Sequence, residues 1–131
     1  MKTLRSLFTD VELDVVRLRS DGYSFAKISR DLGFHSYQRV QQLYKAAIKK
    51  ADTLRVLTYR YPSLLNAMLE FDYPYRSMAK LCKILLNDNL IGTYMTKTED
   101  ELLAYKDIGS NYVKVLKRAT ELYTATHGKK E

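Results

Sequence analysis

The chain has 131 residues, 46% of them hydrophobic, and carries 22 Lys and Arg against 15 Asp and Glu for a net charge of +7. It can bury the core of one ordinary domain or two very small ones, which excludes a compositionally disordered chain, and its basic balance favours polyanionic partners. The single cysteine, Cys82, excludes an intramolecular disulfide and a cysteine-rich zinc site.

The opening stretch M-K-T-L-R-S-L-F-T-D lacks an apolar signal core, and no later run is long enough to span a membrane. The expectation is a soluble, cytoplasmic protein. Thr9 and Glu12 form a T-x-x-E capping box ahead of Val11, Val15, Val16 and Leu18. This first helix should end near S-D-G, where Gly22 suits a left-handed backbone. Ser24 should cap a short second helix holding Phe25, Ile28 and Leu32, stopped by Gly33. Ser36 should cap a third helix, S-Y-Q-R-V-Q-Q-L-Y-K-A-A-I-K-K. Three helices with a Gly-containing turn before the last spell helix-turn-helix, and the small Ser29 stands where two crossing helices must approach closely.

From Ala51 to Tyr75 the composition changes, with Pro62, Pro74 and the rings Tyr61, Phe71, Tyr73 and Tyr75. Pro62 should start a short helix capped by Ser63, and Pro74 should precede another. The rings read as core between two touching halves or as platforms for stacked bases. Further on, a helix is expected from about Ser77 to Leu86, then T-E-D-E-L-L capped by Thr98 with Glu101. After the turn K-D-I-G-S comes a last amphipathic helix carrying Tyr112, Val113, Leu116 and Ala119, and T-H-G-K-K-E reads as a frayed tail. The expected fold is all-α. A helix-turn-helix lobe (1–52) is packed through a connecting helix and Tyr/Pro-rich segment (53–75) onto a compact helical module (76–125), followed by the tail (126–131).

The third helix poses the functional question. Val40, Leu43, Ala47 and Ile48 recur at helical spacing, so one face can bury. The other presents Tyr37, Gln38, Arg39, Gln41, Gln42 and Lys45. Glutamine can bond adenine with two hydrogen bonds and arginine can bond guanine, and an α-helix fits the major groove. From Ser24 to Lys50 the net charge is +5, from Lys27, Arg30, Arg39, Lys45, Lys49 and Lys50 less Asp31. Catalysis has little to stand on. His35 and His127 are the only histidines, and no nucleophile set, phosphate loop, metal-ligand spacing or cofactor motif is present. Glu99, Asp100 and Glu101 stand at a helix start, where they complement the dipole.

Two stretches resemble known families. F-T-D-V-E-L-D-V-V-R-L-R-S-D-G, I-S-R-D-L-G-F and S-Y-Q-R-V-Q-Q-L-Y-K-A-A-I-K-K-A together resemble region 4 of bacterial sigma factors, over roughly Leu7 to Ala51. The resemblance implies a DNA-reading third helix. Two departures stand out: His35 lengthens the turn by one residue, and Tyr37, Gln38 and Gln41 replace the family's base-contacting charges. The family's own promoter element is therefore not the expected target. N-L-I-G-T-Y-M-T-K-T-E-D-E-L-L-A-Y-K-D-I-G-S-N-Y-V resembles the C-terminal domain of the RNA polymerase α subunit, a helix-hairpin-helix relative. That resemblance implies phosphate contacts at Ser110 and Asn111 after Gly109 and at Arg76 in Y-R-S-M-A-K-L, or else a protein-contact lobe.

The expected function is sequence-specific binding of double-stranded DNA in transcription regulation, of bacterial or phage type, with RNA polymerase as a further partner. Two other readings remain open: a DNA-packaging or recombination adaptor of small-terminase type, and a protein-only module mimicking parts of the polymerase.

Overall fold

In the computed structural model, which describes residues 3–127, the regular elements are all helical and no strand occurs among the described residues. The fold is all-α, as expected. The chain divides into two compact units, Leu4–Arg55 and the segment from Val56 onward.

In the first unit a 3-10 turn at Arg5–Leu7 precedes α1 (Asp10–Ser20), α2 (Phe25–Leu32) and α3 (Tyr37–Arg60), whose residues from Val56 onward belong to the second unit. The capping box at α1 is complete: the Glu12 N–H donates to Thr9 Oγ1 at 3.1 Å and the Thr9 N–H donates to Glu12 Oε1 at 2.9 Å. Ser24 caps α2 by accepting the Lys27 N–H at 3.1 Å. Val15 of α1, Ile28 of α2 and Val40 of α3 are fully buried together, with Leu18, Phe25, Phe34, Leu43 and Tyr44 packed around them. Burying each such aliphatic side chain contributes about 1.5–3 kcal/mol. Ser29 is buried as well, and its hydroxyl donates to the Phe34 carbonyl at 3.2 Å, tying the end of α2 to the turn that follows.

Gly33 ends α2 in the left-handed region at φ 78°. A Cβ there would meet nothing within 4 Å, so the requirement is conformational, not steric. Gly33→Ala is expected to cost about 1–2 kcal/mol, the left-handed penalty of an L-residue. Chemical denaturation of the variant measures it.

The third helix runs further than its expected end at Lys50, through A-D-T-L-R-V-L-T-Y-R to Arg60. The reason is local: no Gly or Pro interrupts it before Pro62, and Leu54 and Leu57 are buried along the way.

The second unit holds α4 (Pro62–Glu70), α5 (Tyr75–Asn87), a 3-10 turn at Tyr94–Thr96, α6 (Glu99–Leu103) and α7 (Ser110–His127). Pro62 opens α4, but Ser63 does not cap it. Tyr61 occupies the cap position without a side-chain hydrogen bond, while Ser63 is buried as the second residue of the helix. α5 begins directly after Pro74, two residues before the expected start at Ser77. The Thr98–Glu101 capping box of α6 is present. α7 is the packing centre of this unit, with α4, α6 and the 3-10 turn laid against it. Arg118 of α7 forks onto Glu70 of α4, with Nε 2.8 Å from Oε1 and a terminal nitrogen 3.4 Å from Oε2. Thr126 and His127, expected in a frayed tail, are the last residues of α7; the remainder of that tail lies outside the described residues.

Candidate nucleic-acid interface

An α-helix turns about 100° per residue, which sorts α3 into sides. Val40 and Ala47 are buried, at 0% and 1% exposure. Gln38, Gln42, Lys45 and Lys49 recur at alternating four- and three-residue steps on the opposite side, and all four are exposed. Tyr37 and the half-buried Gln41 flank this row on one side; the exposed Arg39 flanks it on the other. Five of the six residues singled out on this helix thus share its solvent half, with Gln38, Gln42 and Lys45 at its centre and Gln41 and Arg39 along its edges, while the exposed Tyr37 stands about 60° from Val40. Lys49 continues the row by a four-residue step from Lys45 that was visible in the sequence, although it was not among the residues singled out. No acidic residue occurs from Tyr37 to Ala51. A surface concavity of about 400 Å³ opens where α2 meets α3, lined by Arg30, His35, Ser36, Tyr37 and Gln38 among others.

The charge expected on this segment is partly committed elsewhere. Lys50 turns inward, its Nζ 2.7 Å from Glu12 Oε1 and 2.9 Å from the Leu7 carbonyl it donates to. Lys27 pairs with Asp31 one turn along α2, at 3.2 Å. Among the described residues, Arg30, Arg39, Lys45 and Lys49 remain without an acidic partner. Lys50 is corrected from a phosphate-facing cation to a structural one. The usable charge is smaller than the sequence total; Arg39, Lys45 and Lys49 carry it on α3 and Arg30 on α2.

In the second unit Ser110 and Asn111 are exposed in the first turn of α7. They line a concavity of about 700 Å³ together with Pro74 and Ser77 at the start of α5, and with Tyr73, Tyr112 and Lys114. The Tyr73 hydroxyl donates to the Asn111 carbonyl at 3.1 Å, and its ring meets Tyr112 edge-on at 5.9 Å. Burial, with Tyr112 nearby, pushes the Tyr73 phenol above its ordinary pKa, so it remains a donor at neutral pH. This tyrosine packs within its own unit, while Phe71 is 45% exposed. Arg76 does not line the concavity. Ser77 points there, and the neighbouring Arg76 lies about 100° around the helix, on the side of Lys80 and Lys83. Ser110 and Asn111 line the concavity together; Arg76 does not.

Burial pushes the Cys82 thiol up to about 11, leaving it protonated and unreactive near neutral pH. Among the described residues no group of three or more His, Cys, Asp or Glu could hold a metal ion. Glu101 is engaged in its capping box and Glu99 pairs with Lys117 at 3.3 Å. No helix among the described residues is long and apolar enough to cross a membrane. Compared with protein-family models, curated proteins and solved structures, the chain finds no significant match in any of the three.

Proposed function

We propose that the chain is a sequence-specific, double-stranded-DNA-binding regulator of transcription, of bacterial or phage type and acting in the cytoplasm. In this reading α2, the turn Gly33 to Ser36 and α3 act as a helix-turn-helix, with α3 lying in the major groove. The observation that carries it is the acid-free row Gln38, Gln42, Lys45 and Lys49, exposed directly opposite the buried Val40 and Ala47. Such a row combines amide groups able to bond base edges with cations able to meet phosphates, on the element shaped to enter the groove. The row runs for about three turns before the first carboxylate on that side, Asp52; as a merely solvated face it would give neither base preference nor salt-dependent duplex binding.

Ser110 and Asn111 contribute phosphate contacts in the same reading, through the free N–H groups of the first turn of α7. The resemblance of both halves to transcription machinery adds RNA polymerase as a partner, which co-purification with the tagged chain tests. No cofactor is required.

Selection of bound duplexes from a random-sequence DNA pool tests the central claim. The expected result is enrichment of a short common motif. Recovery of the pool unchanged, with binding at low salt only, would leave a non-specific polyanion binder and remove the regulatory reading.

A further inference from the structure

We propose that the second unit has a DNA-contact surface along the solvent side of α5, formed by Arg76, Lys80 and Lys83. The proposal rests on the reading of the chain as DNA-binding and adds a surface distinct from the first turn of α7.

The placement follows from the amphipathicity of α5. Met78, Leu81 and Leu85 are fully buried and define its core side. At about 100° per residue, Arg76, Lys80 and Lys83 fall directly opposite that side. All three are exposed, and Asn87 continues the row one turn further. Rises of about 6 Å and about 4.5 Å separate successive cations, making a row about 10.5 Å long. A duplex lying along it would offer about six phosphate charges, at one per ~1.7 Å of axis.

The pairing pattern distinguishes these cations from the others of the unit. Lys117 and Arg118 on α7 are matched by Glu99, Glu70 and Glu121. Among the described residues, Arg76, Lys80 and Lys83 have no acidic partner, and α5 itself contains no Asp or Glu. Their arrangement also works against the isolated helix. Like charges three and four residues apart repel, and Arg76 in the first turn meets the positive end of the helix dipole. A neighbouring polyanion relieves both. A lipid surface fits less well, because a helix lying on a membrane inserts its apolar face, and that face of α5 is occupied by the protein core.

The test is R76Q/K80Q/K83Q in the full chain, with K80Q alone beside it and circular dichroism confirming that both retain wild-type helicity. Affinity for a random-sequence duplex is measured across a salt series. The slope of log affinity against log salt should fall in magnitude by about 0.9 per lost contact, about 2.7 in the triple variant and about 0.9 in K80Q. The preferred motif should stay unchanged. A wild-type protein that binds duplex with a slope the triple variant keeps would overturn the α5 surface and leave the DNA reading intact. A wild type with no salt-dependent duplex binding would overturn both. Loss of binding to phosphatidylserine-containing vesicles in the triple variant, with the duplex slope unchanged, would make the row a lipid contact and also overturn the proposal.

Discussion

Lys50→Met is expected to destabilise the first unit by about 3–5 kcal/mol, the usual cost of leaving one member of a buried ion pair without its partner. The Glu12 and Lys50 side chains are only 7% and 14% exposed, and their charged atoms stand 2.7 Å apart. The ammonium also serves the Leu7 carbonyl and lies 5.5 Å from the centre of the Phe8 ring. Its removal therefore strands a carboxylate and a carbonyl at once. Glu12→Gln is the milder partner change, since a glutamine can still accept the Thr9 N–H and keep the capping box. In the double variant Glu12→Gln/Lys50→Met most of the loss should be recovered, because no uncompensated buried charge remains. Denaturant titration of the four proteins gives the coupling directly. Four equal stabilities would show that the pair adds nothing.

The same pair sets an acid limit. Burial pushes the Glu12 carboxyl upward, but the hydrogen bond from Lys50, the backbone hydrogen bond from Thr9 and the Lys50 charge outweigh it and hold the group below its ordinary value. A carboxyl depressed on folding stabilises the protein above its unfolded pKa. That contribution is lost as the pH falls below about 4.3 and on through the lower folded value. Wild-type melting temperature should therefore drop on acidification through that window. Glu12→Gln, which has no group to titrate there, should lose less.

Gln38→Ala and Gln42→Ala should each relax preference at one base pair of the selected site by about 1–3 kcal/mol, if each glutamine makes a two-bonded base contact. Both side chains are exposed, so stability should hardly change. Lys45→Ala is the contrast: it should weaken every sequence alike and reduce the salt slope by about 0.9, as loss of one phosphate contact does. Competition binding with the selected site and its single-base variants separates the two behaviours. Should the glutamine variants keep both affinity and preference, the α3 row is a solvated face and base reading must be sought elsewhere.

How much of this was legible beforehand depended on the range of the interactions involved. Local features were written in the chain itself. Thr9 with Glu12, Thr98 with Glu101, Ser24, Gly22 and Gly33 act within four or five residues, where hydrogen-bond partners are set by helix geometry alone. The solvent row of α3 was legible for the same reason, since a known period sorts side chains once the helix is granted. The run of α3 to Arg60 was local too, written in the lack of Gly or Pro after Lys50.

The destination of each charge was not legible. Lys50 and Lys49 are chemically identical neighbours, yet one is half-buried against an acid 38 positions away and the other faces solvent. Only the packing of α3 beside the start of α1 decides which. Arg76 and Ser110 looked like one phosphate site in a one-dimensional alignment. The packing of the second unit brings Ser77, not Arg76, to the concavity where Ser110 lies, and groups Arg76 with Lys80 and Lys83. Periodicity tells which residues share a side of a helix. Which side is covered, and by what, is settled by contacts between segments distant in sequence, whose partners no local pattern encodes.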